Sequence, residues 1–474
     1  MAGVKLLMNK YRYLLKNIGL LTIGNFATKI LSFFLVPLYT SVLTTNEYGT
    51  YDLLNTTVSV LIPILTLNTA DFALRFSLEK KYDQNAVVTT GARITLVGSA
   101  ILLFALVINN IFNLIPMVHR YSFFFFLMFF SQALSGIMMS YARGTDHVAS
   151  LSVSSVISSV ITIACNIIFL IPLRMGLPGY FWANIIGPLF QSVYLVIRMK
   201  SWRDIRINGQ YGKQRREMLR YSMPMIANSI SWWVNNVSDR YMVTWFCGIA
   251  ANGIYSVSTK IPAILNVFQG IFDQAWALSA VKDFDSKDES GFFTVTYNTY
   301  NGLMVIVCAF IIAFDRIMAR FLYADNFYVA WRYVPFLTIS IVFGAMAGYI
   351  GGFFTAVKES KTFAISTTIG AIANIILNFI LIPFIGALGA ALATAISYII
   401  IWIIRLLQSK KYIVLRLNLL RDCVSYMLLF VQALVLLILP ETLIMYLIQF
   451  GLISIILILY KNNIYKVIHD LIKK

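Results

Sequence analysis

Long apolar runs recur along the whole sequence and are separated by short polar connections. Fourteen runs have the length, about 17–25 residues, that an α-helix needs to cross ~30 Å of hydrocarbon at ~1.5 Å per residue. Helices satisfy their backbone polar groups internally, which lipid requires. We therefore predict an all-α polytopic membrane protein with about 14 transmembrane helices. The predicted spans are 18–42, 51–70, 87–108, 121–141, 151–171, 179–197, 221–246, 253–276, 292–314, 333–356, 362–384, 387–407, 423–439 and 443–460.

The charge distribution predicts how the chain is oriented. The net charge is +18, although only 12% of residues are charged and 59% are hydrophobic. If the N-terminus is cytoplasmic, 29 of the 38 Lys and Arg residues fall on the cytoplasmic side and five on the outer side. This asymmetry is typical of topology signals in membrane proteins. We therefore predict an inner-membrane protein with both termini in the cytoplasm and no nucleic-acid partner.

The two halves of the sequence resemble each other. A shift of 204 residues aligns 47–51 with 251–255, and a shift of about 210 aligns the glycines of 176–179 with those of 386–389. Two repeats in the same orientation are a feature of transporters that bind substrate at the repeat interface. The predicted domains are an N-lobe at 1–200, a basic linker at 201–220, a C-lobe at 221–410, and a C-terminal helix pair with its tail at 411–474.

The first predicted helix carries a lysine near its middle. Asn25, Lys29 and Ser32 follow one another at steps of three or four residues, so they share one face of that helix. A charge at bilayer depth costs roughly 3 kcal/mol even on insertion scales, and it usually faces a protein interior or a watery cavity. We interpret this face as part of a polar cavity. The alternative is a lysine that pairs across helices or reaches the membrane surface.

The second repeat supplies further polar residues at corresponding places. Asn236 and Arg240 lie on the matching face of the seventh predicted helix, and Lys260 lies inside the eighth. Cations that converge in a low-dielectric setting would bind a phosphate strongly. These six residues, three in each repeat, are the predicted substrate-binding residues.

Four further charged residues are candidates for coupling or gating. Asp52 begins the second predicted helix, Asp71 and Arg75 lie four apart at its inner end, and Asp239 precedes Arg240. An i, i+4 ion pair between Asp71 and Arg75 is the structural alternative. We predict no metal site and no cofactor, with H⁺ or Na⁺ coupling at an acid such as Asp52 or Asp239 as an open question.

Two short motifs carry a family resemblance. The sequence from Leu43 to Asp52 reads LTTNEYGTYD, and Lys260 lies within YSVSTKIP. Together with two parallel repeats and two appended helices, these motifs resemble the polysaccharide-precursor flippases of the MOP exporter superfamily, which includes Wzx-type and lipid II flippases. The resemblance implies a V-shaped pair of lobes in which Lys29, Arg240 and Lys260 hold a pyrophosphate.

The implied function is the transfer of a polyprenyl-pyrophosphate-linked oligosaccharide from the cytoplasmic to the outer leaflet by alternating access. The expected partners are that glycan, membrane lipids and polysaccharide assembly proteins, and no enzymatic activity is expected. A cation-coupled multidrug exporter is the alternative, although its typically cationic substrates would favour acids in the cavity. A glycan polymerase or ligase would need a longer outer loop.

Overall fold

A computed structural model of the protein describes residues 33–79, 81–206, 211–282, 284–357 and 359–472. Within these ranges the chain forms helices and short connections, and no strand is present. The prediction of an all-α fold is therefore confirmed. The chain divides into two compact units, Met1–Val237 and Ser238–Lys474.

Unit 1 consists of seven described helices and the first part of an eighth. Its packing centres on α5, which lies against α3, α4 and α7, while α6 runs along α7. The helices are α1 (Val36–Val42), α2 (Thr45–Leu65), α3 (Thr69–Ser77), α4 (Gln84–Phe112), α5 (Pro116–Gly144), α6 (Val148–Leu170), α7 (Gly176–Met199) and α8 (Gly212–Cys247), with a 3₁₀ turn at Ser201–Arg203.

The start of α2 shortens the connection of 43–50 that separates the first two predicted spans. The Thr44 hydroxyl accepts a hydrogen bond from the Glu47 amide at 3.2 Å, and the Glu47 carboxylate accepts one from the Thr44 amide at 2.9 Å. This reciprocal capping box satisfies amides that the first turn of a helix leaves free. The connection is therefore confined to Leu43 and Thr44, and 46–49 belong to the helix.

The second predicted span is broken rather than continuous. Helices α2 and α3 meet at a bend of 56°. Leu67 and Asn68 adopt positive φ angles of 51° and 55°, a conformation that costs a non-glycine residue about 1–2 kcal/mol. The Asn68 side chain donates hydrogen bonds to Asp71 at 2.6 Å and to the Ser229 hydroxyl at 3.4 Å. These contacts hold the broken connection in place.

Unit 2 contains the end of α8 and eight further helices. Helix α12 packs against α10, α11 and α14, while α13 lies along α14. The further helices are α9 (Ile249–Ser258), α10 (Ala263–Lys282), α11 (Phe292–Leu322), α12 (Val334–Ala356), α13 (Ser360–Ile385), α14 (Ala387–Ser409), α15 (Leu419–Ile438) and α16 (Leu443–Ile472), with a 3₁₀ segment at Asp325–Arg332.

The last two helices are attached to α11 along their length. Near one end, the Tyr426 hydroxyl donates to the Asn301 side chain at 2.8 Å, and Asn301 donates to the Tyr460 hydroxyl at 3.1 Å. Near the other end, Arg320 and Glu441 form an ion pair at 2.6 Å. The helix pair is therefore an integral part of unit 2.

The described residues do not confirm the predicted count of 14 spans. Ten of their helices are long and apolar enough to cross a membrane, or 11 if α2 and α3 form one span. The first predicted span lies mostly outside the described residues. The eighth is split into α9 and α10 at 259–262. Helix α8 continues the seventh span back to Gly212, so it includes the charged residues that were assigned to the linker.

Candidate functional site

A buried carboxylate lies at the centre of a polar cluster in unit 2. Asp239, on α8, is only 6% exposed. Its Oδ1 accepts a hydrogen bond from the Asn378 amide at 2.6 Å, and its Oδ2 accepts from the hydroxyls of Thr394 at 2.5 Å and Tyr255 at 3.2 Å. The donors come from α9, α13 and α14, so the cluster joins four helices. All three donors are neutral, and within the described residues no salt bridge joins the Asp239 carboxylate to a cation.

One buried oxygen of this cluster lacks a hydrogen-bond partner among the described residues. The Asn378 amide nitrogen donates to both Asp239 and the Asn374 carbonyl oxygen, the latter at 3.0 Å. The Asn378 Oδ1 atom is buried and accepts no hydrogen bond from the residues that the structure describes. An unsatisfied buried polar atom costs about 1–3 kcal/mol unless it finds a ligand.

These oxygens have the chemistry of a site for a small hard cation. Carboxylate, amide and hydroxyl oxygens are the ligands that hard cations prefer. A single carboxylate matches a single positive charge, and burial makes an uncompensated carboxylate costly. Within the described residues, no group of three or more His, Cys, Asp or Glu side chains could hold a transition metal. The cluster therefore fits Na⁺ or H⁺ better than zinc or iron.

Lys260 lies at a break in the helical chain of unit 2. It follows the end of α9 and precedes α10, and its side chain is half-buried. Within the described part of the chain, no hydrogen bond or ion pair engages its ammonium group. An ammonium in this state is available to an anionic ligand. Arg240 is also half-buried, one residue beyond Asp239 on α8.

The predicted acids of unit 1 lie in different surroundings. Asp52 is buried on α2 near aromatic rings, with Tyr51 packed edge-on against Tyr180 at a centroid distance of 4.5 Å. Asp71 accepts its hydrogen bond from Asn68.

The alternative ion pair between Asp71 and Arg75 does not form within the described residues. Arg75 instead pairs with Glu79 at 2.7 Å, and Lys81 contacts the same carboxylate at 3.0 Å. The hydrogen bond from Lys81, together with the charges of Lys81 and Arg75, holds the pKa of Glu79 below its usual value.

The roles of the remaining candidate residues stay predictions. Asn25, Lys29 and Ser32 lie outside the described residues, and Asn236 is described only through the backbone of α8. Within unit 2, the structure brings Asp239 together with residues that sequence reasoning did not select: Tyr255, Asn374, Asn378 and Thr394. The i, i+4 spacing of two asparagines in an apolar run was a signal that could have identified one wall of the cluster.

A family model matches most of the first half of the chain and part of the second half. Residues 14–277 match the family described as polysaccharide biosynthesis protein. A curated relative from Haloferax volcanii, the probable low-salt glycan biosynthesis flippase Agl15, is 25% identical over 193 residues. That match covers 39% of this chain and 40% of the relative. The chain thus matches about two-fifths of the relative's length.

Solved structures share the fold over nearly the whole chain. The lipid II flippase MurJ in an inward closed conformation superposes with a TM-score of 0.69 at 16% identity, covering 94% of this chain and 98% of that one. An outward-facing multidrug resistance MATE family transporter of the MOP superfamily gives 0.60 at 14% identity, covering 86% and 96%. At these identities the likeness establishes the fold alone.

Proposed function

Because the chain belongs to the polysaccharide biosynthesis protein family, we propose that it is a flippase for a polyprenyl-pyrophosphate-linked oligosaccharide. It would move this lipid from the cytoplasmic to the outer leaflet by alternating access. The observation that carries the proposal is the Lys260 ammonium, half-buried at a helix break without a partner in the described part of the chain. A cation so placed in a transporter fold is suited to an anionic headgroup.

Physical chemistry explains why such a lipid needs a protein. A headgroup with phosphates and sugars would lose the solvation of its charges and hydroxyls in hydrocarbon. Cationic and polar side chains replace those contacts while the polyprenyl chain remains in the bilayer. We assign pyrophosphate contacts to Lys29, Arg240 and Lys260, and contacts with polar groups of the cargo to Asn25, Ser32 and Asn236. This role breaks no covalent bond, so we propose a transporter rather than an enzyme.

Transport in proteoliposomes tests this proposal. The assay measures how fast a fluorescent polyprenyl-pyrophosphate oligosaccharide becomes accessible on the opposite leaflet. We expect Lys260→Ala and Lys29→Ala each to slow the transfer by about tenfold or more, since a charge-assisted contact is worth roughly 1.5–3 kcal/mol. Lys411→Ala, which removes an exposed lysine of the connection before α15, is the matched control and should transfer at the native rate.

Two outcomes would contradict the proposal. Transfer rates equal to the native rate in all the variants would show that neither lysine contacts the cargo during transport. A native chain that transfers no lipid-linked glycan, but exports organic cations, would favour the multidrug alternative. The latter would fit the fold shared with MATE transporters.

We further propose that Asp239 binds the coupling cation, Na⁺ or H⁺. A cation held there by the carboxylate, Asn378 Oδ1 and Thr394 would cancel the negative charge of the carboxylate. Binding would also hold together the four helices that contribute to the cluster. A transmembrane potential supplies about 2.3 kcal/mol per charge per 100 mV to a coupled ion, and this energy could drive the cycle.

Thermal unfolding in detergent tests Na⁺ binding at Asp239, and a transport measurement tests H⁺. Replacing choline in the buffer by Na⁺ at constant ionic strength should raise the Tm of the native chain. A ligand that binds only the folded state stabilises that state. Asp239→Asn should remove that rise. If Na⁺ has no effect but a pH gradient drives transport in the native chain alone, the cation is H⁺. Transport that depends on neither ion would exclude coupling at Asp239.

A further inference from the structure

The short segment that follows α7 has a fixed structure at a membrane boundary. Helix α7 is apolar enough to span the membrane and ends at Met199. Lys200 then turns the chain with a positive φ of 55°, and Ser201–Arg203 form a 3₁₀ turn. We call the segment 200–206 the interface turn. Because it begins where a span ends, it lies near the level of lipid headgroups.

Hydrogen bonds from two helices of unit 1 hold the interface turn. The Thr89 hydroxyl, on α4, donates to the Asp204 carbonyl oxygen at 3.3 Å and accepts from the Arg206 amide at 3.0 Å. The Tyr141 hydroxyl, on α5, donates to the Asp204 carboxylate at 3.4 Å. The backbone is therefore ordered before any ligand arrives, which lowers the entropy cost of binding.

The side chains that remain exposed on this turn are apolar or basic. Trp202 is 46% exposed and Ile205 is 43% exposed. The Arg203 guanidinium lies 6.0 Å from the centre of the Trp202 ring. Arg198, on the last turn of α7, and Lys200 are exposed as well. Tryptophan is enriched at membrane interfaces because its ring is amphipathic, and clustered basic residues attract anionic lipids.

We propose that the interface turn, together with Arg198, binds the headgroup of an anionic phospholipid. Trp202 and Ile205 enter the boundary between headgroups and acyl chains, while Arg198, Lys200 and Arg203 contact the phosphate. The exposed apolar side chains of Trp202 and Ile205 favour a lipid over free phosphate, because free phosphate has no apolar part to contact them. The bound lipid is a resident of the membrane rather than the transported cargo, so this inference is independent of the proposed flippase activity.

Spin-labelled lipids measure this binding directly. The full chain is reconstituted in nanodiscs of phosphatidylcholine and phosphatidylglycerol in equal parts, and electron spin resonance gives the fraction of each labelled lipid that the protein immobilises. We expect the native chain to prefer phosphatidylglycerol. Replacing Arg198, Lys200 and Arg203 together by Gln should lower that preference by about fivefold or more. Trp202→Ala alone should lower the immobilised fraction of both labelled lipids, because its ring enters the acyl boundary that they share.

The control removes three positive charges elsewhere. Lys410, Lys411 and Arg416 are exposed in the connection between α14 and α15, and replacing them together by Gln should leave the preference unchanged. An equal loss in both triple variants would mean general charge attraction and would overturn the proposal, as would no loss in either. Displacement of the labelled phosphatidylglycerol by inorganic phosphate would also overturn it. Every substituted side chain is exposed, so an unchanged Tm verifies folding.

Discussion

The hydroxyl of Thr394 provides a test of the Asp239 cluster at the scale of one residue. Its single hydrogen is shared between two acceptors, the Asp239 carboxylate at an O–O distance of 2.5 Å and the Ala390 carbonyl oxygen at 3.0 Å. Thr394→Val keeps the shape and removes the oxygen, so the Na⁺ concentration at half-maximal thermal stabilisation should rise about tenfold, as expected for a lost contact to a charged group. Thr338→Val changes a buried threonine whose hydroxyl donates to the Val334 carbonyl oxygen within α12, and it should leave that midpoint unaltered. A Thr394→Val midpoint equal to the native one would exclude Thr394 as a ligand.

At the residue scale, the sequence predicts Asp239 as a functional acid but does not predict the residues around it. A carboxylate inside an apolar run is conspicuous, because burial penalises charge wherever the helix packs. Asn378 and Thr394, however, follow Asp239 by 139 and 155 residues. Their approach depends on how four helices pack, and no local pattern encodes that distance. Lys260 was predicted as a spanning-helix residue, and the structure places it at a helix break.

At the scale of helices, α4 approaches the backbone at the end of α2 closely. A Cβ atom added at Gly98 would lie 2.3 Å from the Leu65 carbonyl oxygen, beside the broken connection. Since backbone atoms must shift to make room, Gly98→Ala should destabilise the protein by about 1–3 kcal/mol. Gly136→Ala, on α5, meets no atom within 4 Å and should be neutral or raise stability by up to about 1 kcal/mol. Detergent unfolding curves compare the two, and equal Tm values would contradict this packing.

The helices differ in how well the sequence predicts them. The lengths of α4 to α7 follow from apolar runs, and the capping box at Thr44 and Glu47 is visible as a Thr-x-x-Glu pattern. The break between α2 and α3 carries no such signal. Its positive φ angles fall on Leu67 and Asn68 rather than on glycine, and a hydrogen bond to Ser229, 161 residues away, helps to hold it. Tertiary contacts override local preference there.

At the scale of the whole molecule, the excess of basic residues on one side predicts the orientation of every span. Cysteine labelling of intact cells tests it in a variant whose four native cysteines are replaced by Ala. Asn326→Cys, exposed in the 3₁₀ segment after α11, should react with a membrane-impermeant maleimide. Lys200→Cys, on the interface turn, should react only after the membrane is permeabilised. The reversed pattern would place the basic connections outside, against the 29 to 5 distribution of Lys and Arg, and would also put the interface turn on the outer leaflet. Labelling of both sites in intact cells would place them on the same side of the membrane. The chain would then cross the membrane an even number of times between them, and the predicted count of spans would be wrong.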